Sequence, residues 1–409
     1  MDIKQLMNHK FRDFEGGFFS EVTKSDVGTR TADLAAQGVE TLCVADPFMP
    51  DPSIPENIKK AYIAGIEEGT ASHYTMPAGN DDLRRIIAKK LEKKNGLKVD
   101  PIRNILISPG SDTGLFFAMA PFIEEGEEVL ILDPGYPDNF SNVKLLGGVP
   151  ISVPCFEEDN WQFRIEEFEK RVTDKTKMVL ITHPCNPTAA VYRRENLEKL
   201  AKFIVDHNLV LVCDQAFEDH IYDDIEFVTP ASLPGMWERT VTVFSVSKGM
   251  GFSGFRVGYL VAEDHIMDVM NGCAVNILGA TNTAAQRAAI AAFEDDSLLA
   301  RNYEILEKRR RMFTEIINSA PGVHTCLPES GFLSWVNVGK LGTGAEVSEY
   351  LIKEAKVLVN DGKGYGPTTG ENYIRVINGV FKDEAKAEAT FKRMADAFTK
   401  LAKEKGIVE

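Results

Sequence analysis

From about residue 80 to residue 300, short apolar runs end one after another in polar or glycine residues, and helical patterns separate them. Asn104 to Ser108 ends at Pro109-Gly110, Glu128 to Leu132 ends at Asp133-Pro134, and Met178 to Thr182 leads to Asn186. Leu209 to Cys213 ends at Asp214, and Val241 to Val246 leads to Lys248. Runs this short and this continuously apolar are strands buried on both faces, which predicts a mostly parallel sheet covered by helices, an α/β architecture. Periodicity predicts helices over Asp81 to Lys94, Asp112 to Ile123 and Glu195 to Asp206. In such sheets ligands bind outside the carboxyl ends of the strands, where the polar residues fall.

The last third differs. Residues 301–320 read as a long charged helix, Gly331 to Asn337 as a hairpin-like segment, and Asp383 to Lys405 as a closing amphipathic helix. At 409 residues the chain exceeds a single core. The expectation is a large domain over 51–300 and a smaller α+β domain from 1–50 and 301–409. No repeat or low-complexity tract is visible.

A net charge of −15 argues against nucleic acid or an anionic membrane as partner, so an anionic ligand needs a locally basic pocket. The six cysteines are scattered without a Cys-x-x-Cys pair, and the seven histidines show no ligand spacing. Reduced thiols, no metal and a cytoplasmic location are the expectation, in keeping with a start that lacks an apolar signal core.

Lys248 lies in Ser245-Val246-Ser247-Lys248-Gly249-Met250-Gly251, too glycine-rich for a packed helix, with Arg256 eight residues on. A lysine that loses hydration there becomes a neutral nucleophile suited to imine formation, beside an anion site. A solvated lysine at a strand end is the plainer reading. Asp214 alone would serve as a helix cap after a strand. Gly110-Ser111-Asp112-Thr113-Gly114 follows a strand and opens a helix, so its N–H groups and helix dipole can receive an anion.

In this order, these residues resemble the class I/II aminotransferase family, fold-type I enzymes that use pyridoxal 5′-phosphate; the similarity covers nearly the whole chain. The resemblance implies a seven-stranded type of sheet, Lys248 as the Schiff-base lysine and proton carrier, and Asp214 as the carboxylate on the pyridine nitrogen. Asn186, in Asn186-Pro187-Thr188, is similar to the asparagine that bonds the cofactor's phenolic oxygen, although position 189 is Ala where the family has Gly. Ser111 and Asp112 in the glycine turn, Ser245 and Arg256 resemble the phosphate-binding set. Arg256 could instead form a surface ion pair.

Tyr136, in Pro134-Gly135-Tyr136, resembles the aromatic that stacks on the ring, with core packing as the alternative. Tyr74 resembles the tyrosine that reaches the neighbouring subunit's phosphate, implying a homodimer with a shared site. Arg375 resembles the arginine that grips the substrate carboxylate, with Asn186 nearby; a solvent-facing strand position is its plainer reading.

Phe217 stands where the family usually carries tyrosine, which removes a hydroxyl from the phenolic oxygen. Dicarboxylate-specific relatives add a second cation, but the matching regions here read Asp112 and Gly279-Ala280-Thr281-Asn282. An apolar or neutral side chain on the substrate is therefore favoured, with Phe18, Phe19 and Phe48 able to modify the choice. The implied activity is transfer of an amino group between an L-amino acid and a 2-oxo acid. Alternatives on the same cofactor are a C–S β-lyase, a decarboxylase or an oxidative deaminase.

Overall fold

The computed structural model describes residues 3–12 and 29–408; Phe18 and Phe19 lie outside the described residues. The dominant element is a seven-stranded sheet. In chain order its strands are β1 Ile105–Ser108, β2 Glu128–Asp133, β3 Val149–Pro154, β4 Thr176–Thr182, β5 Val210–Asp214, β6 Thr240–Ser245 and β7 Gly258–Val261. Their spatial order is β1-β7-β6-β5-β4-β2-β3. All run in one direction except β7, which is antiparallel to both β1 and β6.

Burial explains the sheet. Val129 to Leu132, Met178 to Ile181, Leu211 to Cys213 and Val241 to Phe244 are almost wholly withdrawn from solvent, so each strand needs cover on both faces. At about 1.5–3 kcal/mol for each large aliphatic side chain, these strands are anchored by packing rather than by propensity. Helices Ser111–Met119 and Arg194–Asp206 supply part of the cover, the first against β6 and β7. Helix Asp81–Lys90 is shorter than the sequence pattern implied, because residues Leu91–Asn95 open into a π turn that Gly96 closes in left-handed geometry.

β3 and β7 escaped the sequence reading. β3 carries Pro150 and is half-exposed, as an edge strand permits, and β7 is four residues long and begins with glycine.

A second, antiparallel sheet has four strands, β8 His324–Thr325, β9 Leu333–Asn337, β10 Asn360–Asp361 and β11 Tyr373–Ile377, in the order β10-β11-β9-β8. Helices Asp296–Asn318 and Glu384–Glu404 pack with it around Leu306, Phe313, Ile377, Phe391 and Phe398, where Phe313 and Phe391 meet edge to face at 4.9 Å. Asp383 is the cap of the last helix rather than its first residue, accepting from the N–H groups of Ala385 and Lys386. Leu42 and Phe48 join this core, and Glu40–Thr41 pairs in parallel with Val357–Leu358. No described helix is long and apolar enough to cross a membrane.

Asp133, at the end of β2 and fully buried, ties the large sheet to the loop that precedes β11. Its carboxylate accepts from the Thr368 N–H at 3.0 Å, the Thr368 hydroxyl at 2.7 Å and the Thr369 hydroxyl at 2.6 Å. Replacing it with alanine strands three donors beside a cavity. Asp133→Ala is expected to lower the unfolding free energy by about 2–4 kcal/mol in urea titration; a wild-type midpoint would show that the tie adds nothing.

Candidate active site

The carboxyl ends of β4, β5 and β6 meet the segment Val44–Asp46 and Arg375 of β11 around a cavity of about 200 Å³. Register brings the walls together. Thr182 pairs with Asp214 and Asp214 with Val243, while Gly258 lies opposite both Ser245 and Ser108. Ser111, Asp112, Tyr136, Asn186, Asp214, Phe217, Lys248, Arg256 and Arg375, all singled out from sequence, line this one space.

Lys248 leaves β6 in a bend and is half-buried; its Nζ donates to the Ala45 carbonyl at 2.8 Å and stands 5.8 Å from the Phe217 ring centre. Asp214 is nearly fully buried and accepts from the Ala216 N–H at 3.0 Å, so it does close the turn as a cap would. Burial pushes its carboxyl up to about 7, against the opposing pull of the Ala216 N–H and the Lys248 charge.

Arg375 is 1% exposed, which rules out the solvent-facing alternative. Its Nε and Nη2 donate to Asn360 Oδ1 at 3.0 and 2.7 Å, Nη2 to the Cys43 carbonyl at 2.6 Å, and Nη1 to Asn186 Oδ1 at 3.1 Å. The guanidinium lies over the Tyr365 ring at 4.5 Å. These partners are all neutral, so they hold the fork in place without cancelling its charge. The bond to Arg375 also fixes the Asn186 amide, because only its oxygen can face a guanidinium, and the NH₂ is left as a donor.

The anion side of the cavity depends on two glycines. Gly110 caps helix Ser111–Met119 at φ +85°, and a Cβ there would collide with the Arg256 guanidinium. A Cβ on Gly258 would come within 2.7 Å of the Gly110 carbonyl carbon and the Ser111 nitrogen. Without side chains at both positions, Arg256 and the helix N-terminus share one face. Arg256 is nevertheless half-exposed and 3.5 Å from the Asp112 carboxylate, so the surface-pair alternative is also realised. The Tyr136 hydroxyl donates toward Asp112 at 3.1 Å and Asp138 at 3.0 Å, while its ring packs against the sheet core.

Two predicted residues fall elsewhere. Ser245 is buried behind the wall, its Oγ accepting from the Ser247 N–H at 3.1 Å. Tyr74 is fully exposed beside a separate hollow lined by Ile66, Thr75, Leu278 and Asn282. Conversely, Asp46, Ser247 and Ser253 line the cavity without having been noticed, and the Ser253 hydroxyl donates to Asp46 at 2.8 Å. Ser247 adjoins the lysine, which was the available signal; Asp46 lies some two hundred residues from it in a segment with no motif. Ala189 stands at φ +60°, a backbone state that explains why the family has glycine at this position. Outside the cavity, Glu157, His324 and Cys326 gather despite their scatter in sequence, with ligand atoms within 4.8 Å of one another. Glu157 also accepts from Asn337 and Tyr373, joining the loop after β3 to β9 and β11.

The raised Asp214 carboxyl sets a pH dependence for the ligand-free protein. The folded chain holds this proton more tightly than the unfolded chain, whose carboxyl has the ordinary value of 3.8. The associated stability is present below about pH 4 and is lost as pH climbs to about 7. Ligand-free Asp214→Asn should therefore gain on the wild type across that window, by up to about 4 kcal/mol at the alkaline end. Parallel unfolding curves at all pH values would refute the burial argument.

Three comparisons bear on identity. The chain matches the family described as aminotransferase class I and II over residues 39–386. It is 34% identical to an aspartate aminotransferase of Pyrococcus abyssi over 335 residues, covering 80% of this chain and 84% of that one. It is 33% identical to aromatic-amino-acid aminotransferase 2 of Thermococcus litoralis over 380 residues, 91% and 95% of the two chains. The crystal structure of an aromatic aminotransferase from Pyrococcus horikoshii superposes with a TM-score of 0.84 at 31% identity, covering 92% of this chain and all of that one. With 348 of its residues inside the family match, the chain belongs to the class I and II aminotransferases and is a pyridoxal-phosphate-dependent aminotransferase of fold-type I.

Proposed function

We propose that the cavity holds pyridoxal phosphate between Asp214 and the Arg256 face, and that the amino acid and 2-oxo acid enter against Arg375. The observation that carries this reading is a pair of buried ionisable groups on one cavity: the Asp214 carboxyl, pushed up by burial, and the Arg375 guanidinium, held by neutral acceptors. A cationic ring nitrogen answers the first, and a substrate carboxylate answers the second. The bare backbone at Gly110 and Gly258 beside Arg256 suits a phosphate, so the residues present fit the cofactor.

When bound, pyridoxal phosphate supplies an aldehyde carbon for amines and a ring that withdraws electrons from the substrate α-carbon. Lys248 would hold the group through that carbon, and its amine would serve as the base for the substrate α-proton. Asp214 keeps the ring nitrogen protonated, and Asn186 donates its NH₂ to the phenolic oxygen. Arg375 grips the α-carboxylate with a planar fork, which fixes the α-carbon over Lys248. Tyr136 is assigned to the ring face, and Ser111, Asp112 and Ser245 to the phosphate end, Ser245 acting through the turn it braces.

A substrate side chain that is neutral or apolar suits this cavity, because its lining adds the Asp46 carboxylate and, among the described residues, offers no lysine or arginine beyond Lys248, Arg256 and Arg375. For assembly, we propose a homodimer in which the exposed Tyr74 completes the partner's site. Ile66, Tyr74 and Leu278 line one hollow, and Ile63, Met76, Val275 and Ile277 are exposed on the same segments. The acidic surface supports a cytoplasmic enzyme without nucleic-acid or membrane partners. The division into 51–300 and 1–50 with 301–409 remains the proposed domain plan; each part carries its own sheet.

Lys248→Ala should abolish amino transfer between amino acids and 2-oxo acids while the circular dichroism stays native; retained turnover would sink the assignment. Phe217→Tyr restores a hydroxyl to the cavity wall, and the pH titration of the bound cofactor's absorbance should move, toward stabilising an anionic phenolic oxygen. Superimposable titrations would show that residue 217 has no bearing on it.

A further inference from the structure

Gly249 directly follows Lys248, and two side chains from distant parts of the chain converge on its carbonyl oxygen. His220 Nε2 lies 3.2 Å away, and Asn302 Nδ2 donates at 2.9 Å. His220 belongs to the segment after β5, whereas Asn302 belongs to helix Asp296–Asn318 of the C-terminal third. A carbonyl oxygen only accepts, so Nε2 carries the imidazole proton. Nδ1 is then bare, and it has no partner in its buried setting. Burial pushes His220 down to about 4, which agrees with a neutral ring that carries this single proton.

The turn is braced on other sides as well. A Cβ on Gly249 would overlap the Asp219 side chain, and Asp219 is itself held by Lys94 at 3.0 Å. The Ser53 hydroxyl donates to the Gly251 carbonyl at 2.7 Å. Three chain segments thus hold Gly249 and Gly251, and two of the hydrogen bonds meet one residue from Lys248. A buried histidine with an unused nitrogen is a costly way to satisfy one carbonyl, which already has the Asn302 donor.

We infer that His220 and Asn302 are positioning residues for Lys248: their two N–H groups fix the Gly249 carbonyl and thereby the direction in which the lysine side chain enters the cavity. The inference rests on the reading of Lys248 as the proton-transferring amine. A displacement of helix Asp296–Asn318 would then reach the amine through Asn302.

The test uses cofactor-loaded enzyme. Asn302→Leu and His220→Phe keep bulk but remove a donor each, and His220→Gln returns an N–H. Each donor-less variant should lose roughly 10- to 100-fold in kcat while KM for the amino donor stays within about twofold, the pattern of a misplaced catalytic group. The absorbance titration of the bound cofactor should shift with it, and His220→Gln should recover most of both. Loaded variants with wild-type kcat and titration would overturn the inference, as would a His220→Gln variant as impaired as His220→Phe, which would mark packing alone. If His220→Phe fails to fold, Asn302→Leu alone decides on the same readings. Borohydride reduction of the wild type followed by peptide mapping separates the two levels. A label away from Lys248 removes the underlying reading, whereas a label on Lys248 with unmoved variant kinetics removes only the clamp.

Discussion

The register of the parallel ladder from β4 through β6 is the constraint on which the site depends. Side chains alternate between the faces of a strand, so a slip of one residue would turn Asp214 away from the cavity and move Lys248 along the sheet edge. Register is held by strands buried on both faces, whose apolar side chains leave no alternative alignment with equal burial. Core packing therefore sets catalytic geometry without touching a reactive atom. The antiparallel pairings of β7 bring Gly258 between Ser108 and Ser245, which makes room for Arg256 and the helix N-terminus on one side.

Charge is distributed with comparable economy. A chain with a net charge of −15 repels anionic ligands at long range, yet Arg256 and Arg375 both line the cavity. Arg375 meets this by burial among neutral acceptors, which orient it and leave its field uncancelled. Arg256 behaves differently, since Asp112 stands 3.5 Å away and competes for it in an exposed setting. The two arginines thus differ in strength as anion sites. The buried one is suited to gripping a substrate that comes and goes, the exposed one to a group held at several points.

Most of what lies at strand ends could be read from the sequence, because an apolar run that stops at a polar residue reports position and exposure together. Asp214, Lys248 and Asn186 are of this kind. Arg375 was marked only by likeness, since an arginine between apolar neighbours on a strand reads equally well as a solvent-facing residue; its burial depends on Asn360, Cys43 and Asn186 in three other segments. Asp46, Ser253 and the Asn302 contact were illegible for the same reason. Ser245 shows the reverse case: spacing placed it near the lysine, but it ends the strand buried outside the cavity lining, whereas Ser247, in the bend that follows, lines it. Helix ends also escaped, as at Asn95, where a π turn rather than a composition change ends the helix.

The departures from the family pattern concentrate around the phenolic-oxygen side of the site. Ala189 accepts left-handed backbone where glycine would cost nothing, and Phe217 puts an apolar ring where a hydroxyl is usual. Phe217 packs on Phe332 and closes against Gly331, where a Cβ would come within 2.9 Å of the ring. That apolar contact takes over the structural part of the tyrosine's task but none of its hydrogen bonding. In the proposed function the remaining polar contact is Asn186, whose amide is oriented by Arg375, the residue assigned to the substrate carboxylate. In the proposed roles, substrate capture and cofactor tuning share one hydrogen bond, from Arg375 to the Asn186 amide oxygen.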